Sequence, residues 1–330
     1  MNLKQLSGQH PEYWAALNPV EEVDFEPLSR LGIALLMKRE DRLDARLSGN
    51  KLYKLYGHLQ AAQRQGARCL ISFGGYYSNH LHALAFLGKA LNLRAVGCVR
   101  GHCPESLSIT LQDCLAQGME LEFLGRQEFR ALQSAQGVQS LRQKYPEAYV
   151  IPEGGGEAAG RLGCEMIMSA VRRQTSLANT TVCVPCGTGT TLAGMLGNSL
   201  SGESFLGFSA LKLGGRLQEY KDSIARQVEP RACGGHWDIV DEHHFGGFAR
   251  VKPELFEFMK QFEASTGVLL DPVYTAKLVY SVTQLAQQGY WSAGHRVLVV
   301  HTGGLQGRRG HKELMSIPDQ RSMSGRQGDI

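Results

Sequence analysis

The 330-residue chain has no apolar run near the roughly 18 residues that a membrane-spanning helix needs. Its opening, MNLKQLSGQHPEYW, carries no apolar stretch of the kind a secretory leader requires, so a cytoplasmic location is expected. Charge of neither sign dominates: 35 Lys and Arg against 31 Asp and Glu leave a net +4, which gives no case for a nucleic-acid surface. One short basic run, Arg308 and Arg309 with His311 and Lys312, reads as solvated tail. Of the eight cysteines, only Cys183 and Cys186 stand at C-x-x-C spacing, inside an apolar run. No second Cys/His pair at ligand spacing accompanies them, so no metal site is expected and the thiols read as buried and reduced. Neither an internal repeat nor a long linker is visible.

What the chain has is glycine and alternation. The composition, 43% hydrophobic and 20% charged, is that of a globular chain long enough for a substantial core. Thirty-nine glycines exceed the usual ~7%, and they cluster behind apolar runs: 74–75, 154–156, 187 with 189, 214–215, 234–235, 246–247 and 303–304. Strand-like runs at 69–75, 94–101, 120–125, 149–155, 181–187, 205–211 and 296–304 alternate with helical patterns at 78–91, 106–118, 127–144, 158–174, 190–200, 253–266 and 273–288. Such alternation predicts an α/β fold with parallel sheets flanked by helices. Four strands before residue 155 and more after 180 predict two sheets in two lobes. Residues 1–54 with 161–330 form the larger lobe and 55–160 the smaller. The end, 316–330, is polar without periodicity and reads as disordered. Ligands in such folds sit at the carboxyl ends of strands, where the glycines fall.

Five junctions carry chemistry. CGTGTT (186–191) follows a strand and opens a helix. Its glycines expose backbone amides, the helix end favours an anion, and Thr188, Thr190 and Thr191 offer hydroxyls. It lacks the Gly-Lys-Ser/Thr of a nucleotide-phosphate loop, and Leu192 stands where the dinucleotide fingerprint needs glycine. A small phosphate group is therefore the expected occupant. In FGGYYSNH (73–80), Ser78 and Asn79 either cap the next helix or hold a ligand's carboxylate or phenolate oxygen there. DPVYT (271–275) places Tyr274 and Thr275 in a helix's first turn, and HTGG (301–304) ends the last strand. Finally, SGNKLYKL (48–55) sets Lys51 at a helix start directly after Gly49-Asn50. A partly desolvated lysine is the residue that captures pyridoxal phosphate. Lys54, one turn on, reads as helix surface or local support.

Taken together, SGNKLYKL, FGGYYSNHLHALA, PCGTGTTLAG, GVLLDPVYTAK and HTGG resemble, in order and spacing, pyridoxal-phosphate enzymes of the tryptophan synthase β fold type. The likeness is greatest to the branch of D-cysteine desulfhydrase and 1-aminocyclopropane-1-carboxylate deaminase. It runs from about Lys38 to Gly304. It implies a homodimer acting on a small amino acid. By resemblance Lys51 would be the Schiff-base lysine and the proton shuttle at Cα. Asn79 would bond the cofactor's ring hydroxyl oxygen. Gly187, Thr188, Gly189, Thr190 and Thr191 would cradle its phosphate, and Thr275 would face its ring nitrogen. Ser78 and Tyr274 would join Lys51 in catalysis, with Tyr77, His80 and Phe245 completing the substrate pocket. The cyclopropane deaminases carry glutamate where Thr275 stands, so threonine leans the reading to α,β-elimination of the D-cysteine desulfhydrase kind, with cyclopropane deamination or another β-substituted amino acid as alternatives. Two departures fall on the substrate side: Tyr77 replaces the family's glutamine, and Phe245 replaces a tyrosine. The second leaves room for a carrier or sensor that binds the cofactor without turnover.

Overall fold

A computed structural model describes residues 2–47, 49–228 and 234–314. Ser48 of the lysine motif and the polar end 316–330 lie outside the described residues. Ten strands form two sheets: β1 (Val20–Glu22), β2 (Ala34–Arg39), β3 (Cys69–Gly74), β4 (Arg94–Arg100), β5 (Glu120–Leu124), β6 (Ala148–Val150), β7 (Thr180–Cys186), β8 (Ser204–Ser209), β9 (His236–Val240) and β10 (Arg296–His301). The larger sheet has the order β1-β2-β10-β7-β8-β9 and the smaller β5-β4-β3-β6. Every pairing is parallel except β1 with β2.

The apolar runs become strands because helices cover both sheet faces, so there is no wet side to demand polar residues. Alternation still decides which core each side chain joins. On β10, Leu298 and Val300 pack into the core between the sheets, while Val297 and Val299 face a second core with Phe262, Leu278 and Val282. On β3, Leu70 joins the central core, and Ile71 and Phe73 join a third one with Val96 and Phe129.

The helix Lys51–Arg64 lies between the sheets and crosses the helix Glu157–Gln174 at close range. The approach depends on glycine: a Cβ on Gly163 would sit 2.1 Å from the Tyr53 carbonyl oxygen, and one on Gly57 would sit 2.2 Å from that of Ala159. This crossing fixes the first turn of the lysine helix beside the end of β7. The pattern 127–144 resolves into two helices, Arg126–Ala131 and Ala135–Lys144, separated by a turn at Ser134, whose hydroxyl caps the second. The basic run at 308–312 is no solvated tail. Arg308 is buried, with a two-pronged bond to Glu263 at 2.5 and 2.9 Å and a third to the Leu270 carbonyl at 2.6 Å.

Candidate active site

A cavity of about 460 Å³ opens at the carboxyl ends of both sets of strands. Lys51, Tyr77, Ser78, Asn79, His80, Gly187, Thr188, Gly189, Thr191 and Tyr274 all line it. The five junctions singled out in the sequence thus meet at one place, although they are spread over more than three-quarters of the chain.

Lys51 is buried, and its ammonium donates to Asn50 Oδ1 at 2.7 Å and lies 5.7 Å from the centre of the Tyr274 ring. Burial, with Lys54 beside it, pulls its pKa down to about 7. Near neutral pH a large share of this amine is therefore uncharged and nucleophilic. Lys54 is buried too and lines the cavity, its ammonium 3.5 Å from Thr188 Oγ1. The reading of Lys54 as helix surface gives way: the helix start is inside the molecule, and both lysines point where the threonines are. The signal available in the sequence was the spacing itself, two lysines one turn apart among leucines and tyrosines.

The threonine cup is tightly tied. Thr188 and Thr190 share a hydroxyl contact of 3.0 Å, Thr190 donates to Gln227 Oε1 at 3.0 Å, and Asn50 donates to Thr191 Oγ1 at 2.9 Å. Tyr220 donates to the Gly187 carbonyl at 2.7 Å. Thr190 is fully buried and stands outside the lining, bracing Thr188. Gly187 leaves little room for a side chain: a Cβ would lie 3.1 Å from the Tyr274 hydroxyl, which would have to give way by a few tenths of an ångström. Tyr274 and Thr275 are set by Asp271, whose carboxylate accepts amides of Val273, Tyr274 and Thr275 at 3.0, 2.9 and 2.7 Å. Gln227 and Tyr220 carry no motif and sequence reasoning missed them; Asn50 and Asp271 lie inside the quoted motifs, but their bracing roles were not read there.

On the opposite wall, Ser78 caps the helix Asn79–Leu91, accepting the Leu81 amide at 3.2 Å. His80 is buried; its Nε2 meets Ser72 Oγ at 2.8 Å, and its Nδ1 has no partner among the described residues. Burial and the nearby lysines hold it well below the ordinary histidine range, as a neutral ring. Tyr77 stands at the rim, 42% exposed.

Phe245 must be reassigned. It does not line the cavity but packs in the core, its ring 4.9 Å from that of Tyr280. The aromatic residue that lines the cavity is Phe248, 37% exposed, with its ring 6.0 Å from Tyr274. Positive φ at Phe245, Gly246, Gly247 and Ala249 turns the chain back on itself and exchanges the two rings. The buried Lys277 holds this turn, donating to the His244 and Gly247 carbonyls at 2.9 and 2.8 Å. Thr275 is likewise outside the lining, fully buried, with a hydroxyl that has no partner among the described residues.

Residues 17–303 match the family described as pyridoxal-phosphate dependent enzymes, and the chain belongs to it. It is an α/β enzyme of that family, and pyridoxal phosphate is its cofactor. Within the family it is similar to the Arabidopsis thaliana mitochondrial bifunctional D-cysteine desulfhydrase/1-aminocyclopropane-1-carboxylate deaminase, at 29% identity over 84% of this chain and 73% of the relative. It is also similar to the D-cysteine desulfhydrase of Serratia proteamaculans, at 27% identity over 92% of this chain and 97% of the relative. Among solved structures, an ACC deaminase homologue superposes with a TM-score of 0.75 at 25% identity, covering 93% of this chain and 99% of that one.

The site's residues fit the cofactor. The depressed Lys51 amine suits its carbonyl carbon. The open amides of Gly187–Gly189 and the ammonium of Lys54 suit its phosphate. The unpartnered Thr275 hydroxyl is an available donor for its ring nitrogen. Asn79 accepts from Gln306, which leaves its amide nitrogen free to donate to the ring oxygen.

Proposed function

We propose that the protein is a lyase performing α,β-elimination on a small amino acid, in the manner of a D-cysteine desulfhydrase. With D-cysteine the products would be pyruvate, sulfide and ammonia. The observation that carries the reading is Thr275: a buried threonine, its hydroxyl without a partner among the described residues, stands where the resemblance puts the contact to the ring nitrogen and where the cyclopropane deaminases carry glutamate. When bound, pyridoxal phosphate supplies an electron sink conjugated with the amino acid's Cα. A hydroxyl leaves that sink weaker than a carboxylate would. A weak sink suffices where a good leaving group such as a thiolate departs from Cβ, and is poorly suited to opening a cyclopropane ring. The names of the relatives, one a desulfhydrase, one bifunctional and one an ACC deaminase homologue, support a lyase of this family and fit elimination and cyclopropane deamination alike.

In this reading Lys51 holds the cofactor and then moves the proton at Cα. Ser78, with the amides of its helix start, holds the substrate carboxylate, and Tyr274 covers the substrate and serves the departing group. Asn79, Thr275, Lys54 and the residues Gly187–Thr191 bind the cofactor; His80, Tyr77 and Phe248 shape the substrate side. Residues 1–54 with 161–330 form the cofactor-bearing lobe and 55–160 the smaller one. A cytoplasmic homodimer is the expected form; of the seven described cysteines, all free, six are buried as expected and Cys103 is exposed. Sedimentation of the purified protein decides the dimer.

The deciding experiment measures keto-acid and sulfide release from D-cysteine, L-cysteine and 1-aminocyclopropane-1-carboxylate in parallel. Release from D-cysteine above the other two is expected. Release from the cyclopropane substrate alone would sink the elimination reading in favour of the deaminase one.

A further inference from the structure

A second cavity, about 320 Å³, adjoins the first and is lined by Arg100, Arg126, Phe129, Arg130, Gln133 and Glu153. Arg100 and Glu153 line both spaces, so only those side chains stand where the two meet. Arg100 is the last residue of β4, and Arg126 and Arg130 are one turn apart on the short helix that follows β5. All three therefore stand at the carboxyl ends of neighbouring parallel strands, the ligand edge of such a sheet.

The three arginines have little else to do. Many other arginines are paired, among them Arg39 with Asp41, Arg94 with Glu120, Arg172 with Glu203 and Arg308 with Glu263. The side chains of Arg100, Arg126 and Arg130, all exposed, make neither a hydrogen bond nor an ion pair among the described residues. Arg100 is nonetheless held in place: its guanidinium lies 5.5 Å from the centre of the buried Phe129 ring, which packs edge-on against Phe73 of β3. One carboxylate, Glu153, faces the three cations; burial pushes it up, against Arg100 and Gln133, which pull it down. The lining therefore stays positive.

We infer that this side pocket receives an anionic group borne on the substrate's β-substituent, a carboxylate, sulfonate or phosphate. The inference rests on the lyase reading above. A thiol alone would leave three cations unused, whereas planar guanidinium groups bind such anions through paired hydrogen bonds. The reaction stays an elimination. The Cα–H bond breaks with its proton going to Lys51, and the Cβ–X bond breaks with its electron pair leaving on X. Water then displaces the nitrogen, giving keto acid, ammonia and HX, and no oxidant or reductant is needed.

The test uses two matched pairs on the holoenzyme, O-phosphoserine against serine and S-carboxymethylcysteine against S-methylcysteine. The half-saturating concentration is read from the change in cofactor absorbance, and pyruvate is measured alongside. The anionic member of at least one pair is expected to saturate at about tenfold lower concentration. The double variant Arg126→Gln/Arg130→Gln, which touches only the side pocket, is expected to erase that preference and leave cysteine turnover unchanged. Pyruvate from cysteine with no preference in either pair, or a preference that survives the double variant, overturns the side pocket alone. No absorbance change and no pyruvate from any amino acid overturns the lyase reading and the pocket with it.

Discussion

The cup around Thr188 and the rim around Tyr77 and Phe248 enclose the same cavity and are built on opposite plans. In the cup, the polar groups are buried and tied to one another: Thr188 to Thr190, Thr190 to Gln227, Thr191 to Asn50. At the rim, Tyr77 and Phe248 are half exposed, and Phe248 rides on a turn with two non-glycine residues at positive φ. A pre-tied cup loses little freedom when its ligand arrives. It suits a ligand that never changes, such as a cofactor. A rim with few fixed contacts tolerates substitution and sets which side chain is accepted.

The contrast breaks most visibly at Lys51. Lys51→Ala should abolish covalent cofactor capture and lower keto-acid release by at least about 10³-fold. In the native apoenzyme, capture needs the neutral amine. With a pKa near 7, its rate should climb as pH rises through 7 and level off above it, read by stopped-flow absorbance. A rate that keeps climbing to pH 10 would mean that the amine is not desolvated.

Lys54→Met comes next. Removing the one cation beside Thr188 should weaken cofactor binding by about 1.5–3 kcal/mol, with the substrate KM of the reloaded enzyme little changed. Fluorescence titration of the apoenzyme measures it. An unchanged Kd would place Lys54 outside the cup's function.

A smaller effect, on the rim alone, is expected from Lys277→Met. Without its two carbonyl contacts the turn that carries Phe248 loosens, and KM should rise roughly three- to tenfold while cofactor affinity stays put. Equal losses in both would show that cup and rim are not separable. Smallest is Tyr77→Gln, an exposed change expected to be within about 0.5 kcal/mol in stability and to move only KM. Thermal denaturation and steady-state kinetics check it together.

The same contrast governs what could be read from the sequence. The cup was legible because a Gly-Thr run after an apolar strand has few other uses, and Lys51 because it follows Gly-Asn at a helix start. β2 was not legible: its Lys38 and Arg39 look like surface, yet both are buried, Lys38 donating to the Ala15 carbonyl at 2.6 Å and Arg39 bonded to Asp41. β9 was missed because, as an edge strand, it buries only Ile239 fully. The rim failed at HHFGGF. Two phenylalanines flank the glycines, and adjacency favours the first, but the backbone turn hands the cavity to the second. Nothing local in the sequence encodes that choice; Lys277, thirty residues on, holds the turn that makes it.

The pairing of β2 with β10 sets Ala34–Arg39 against Arg296–His301, almost the whole described chain apart, while all four strands of the smaller sheet lie between residues 69 and 150. On the ribosome the smaller sheet is complete while the larger still lacks its central strand. At ordinary elongation speeds that interval is on the order of ten seconds. The Asn50 amide, beside Lys51, bonds to the Thr302 carbonyl just past that strand. The lysine's final seating therefore waits until β10 has been made, and the nascent chain cannot hold its cofactor as the folded enzyme does until then.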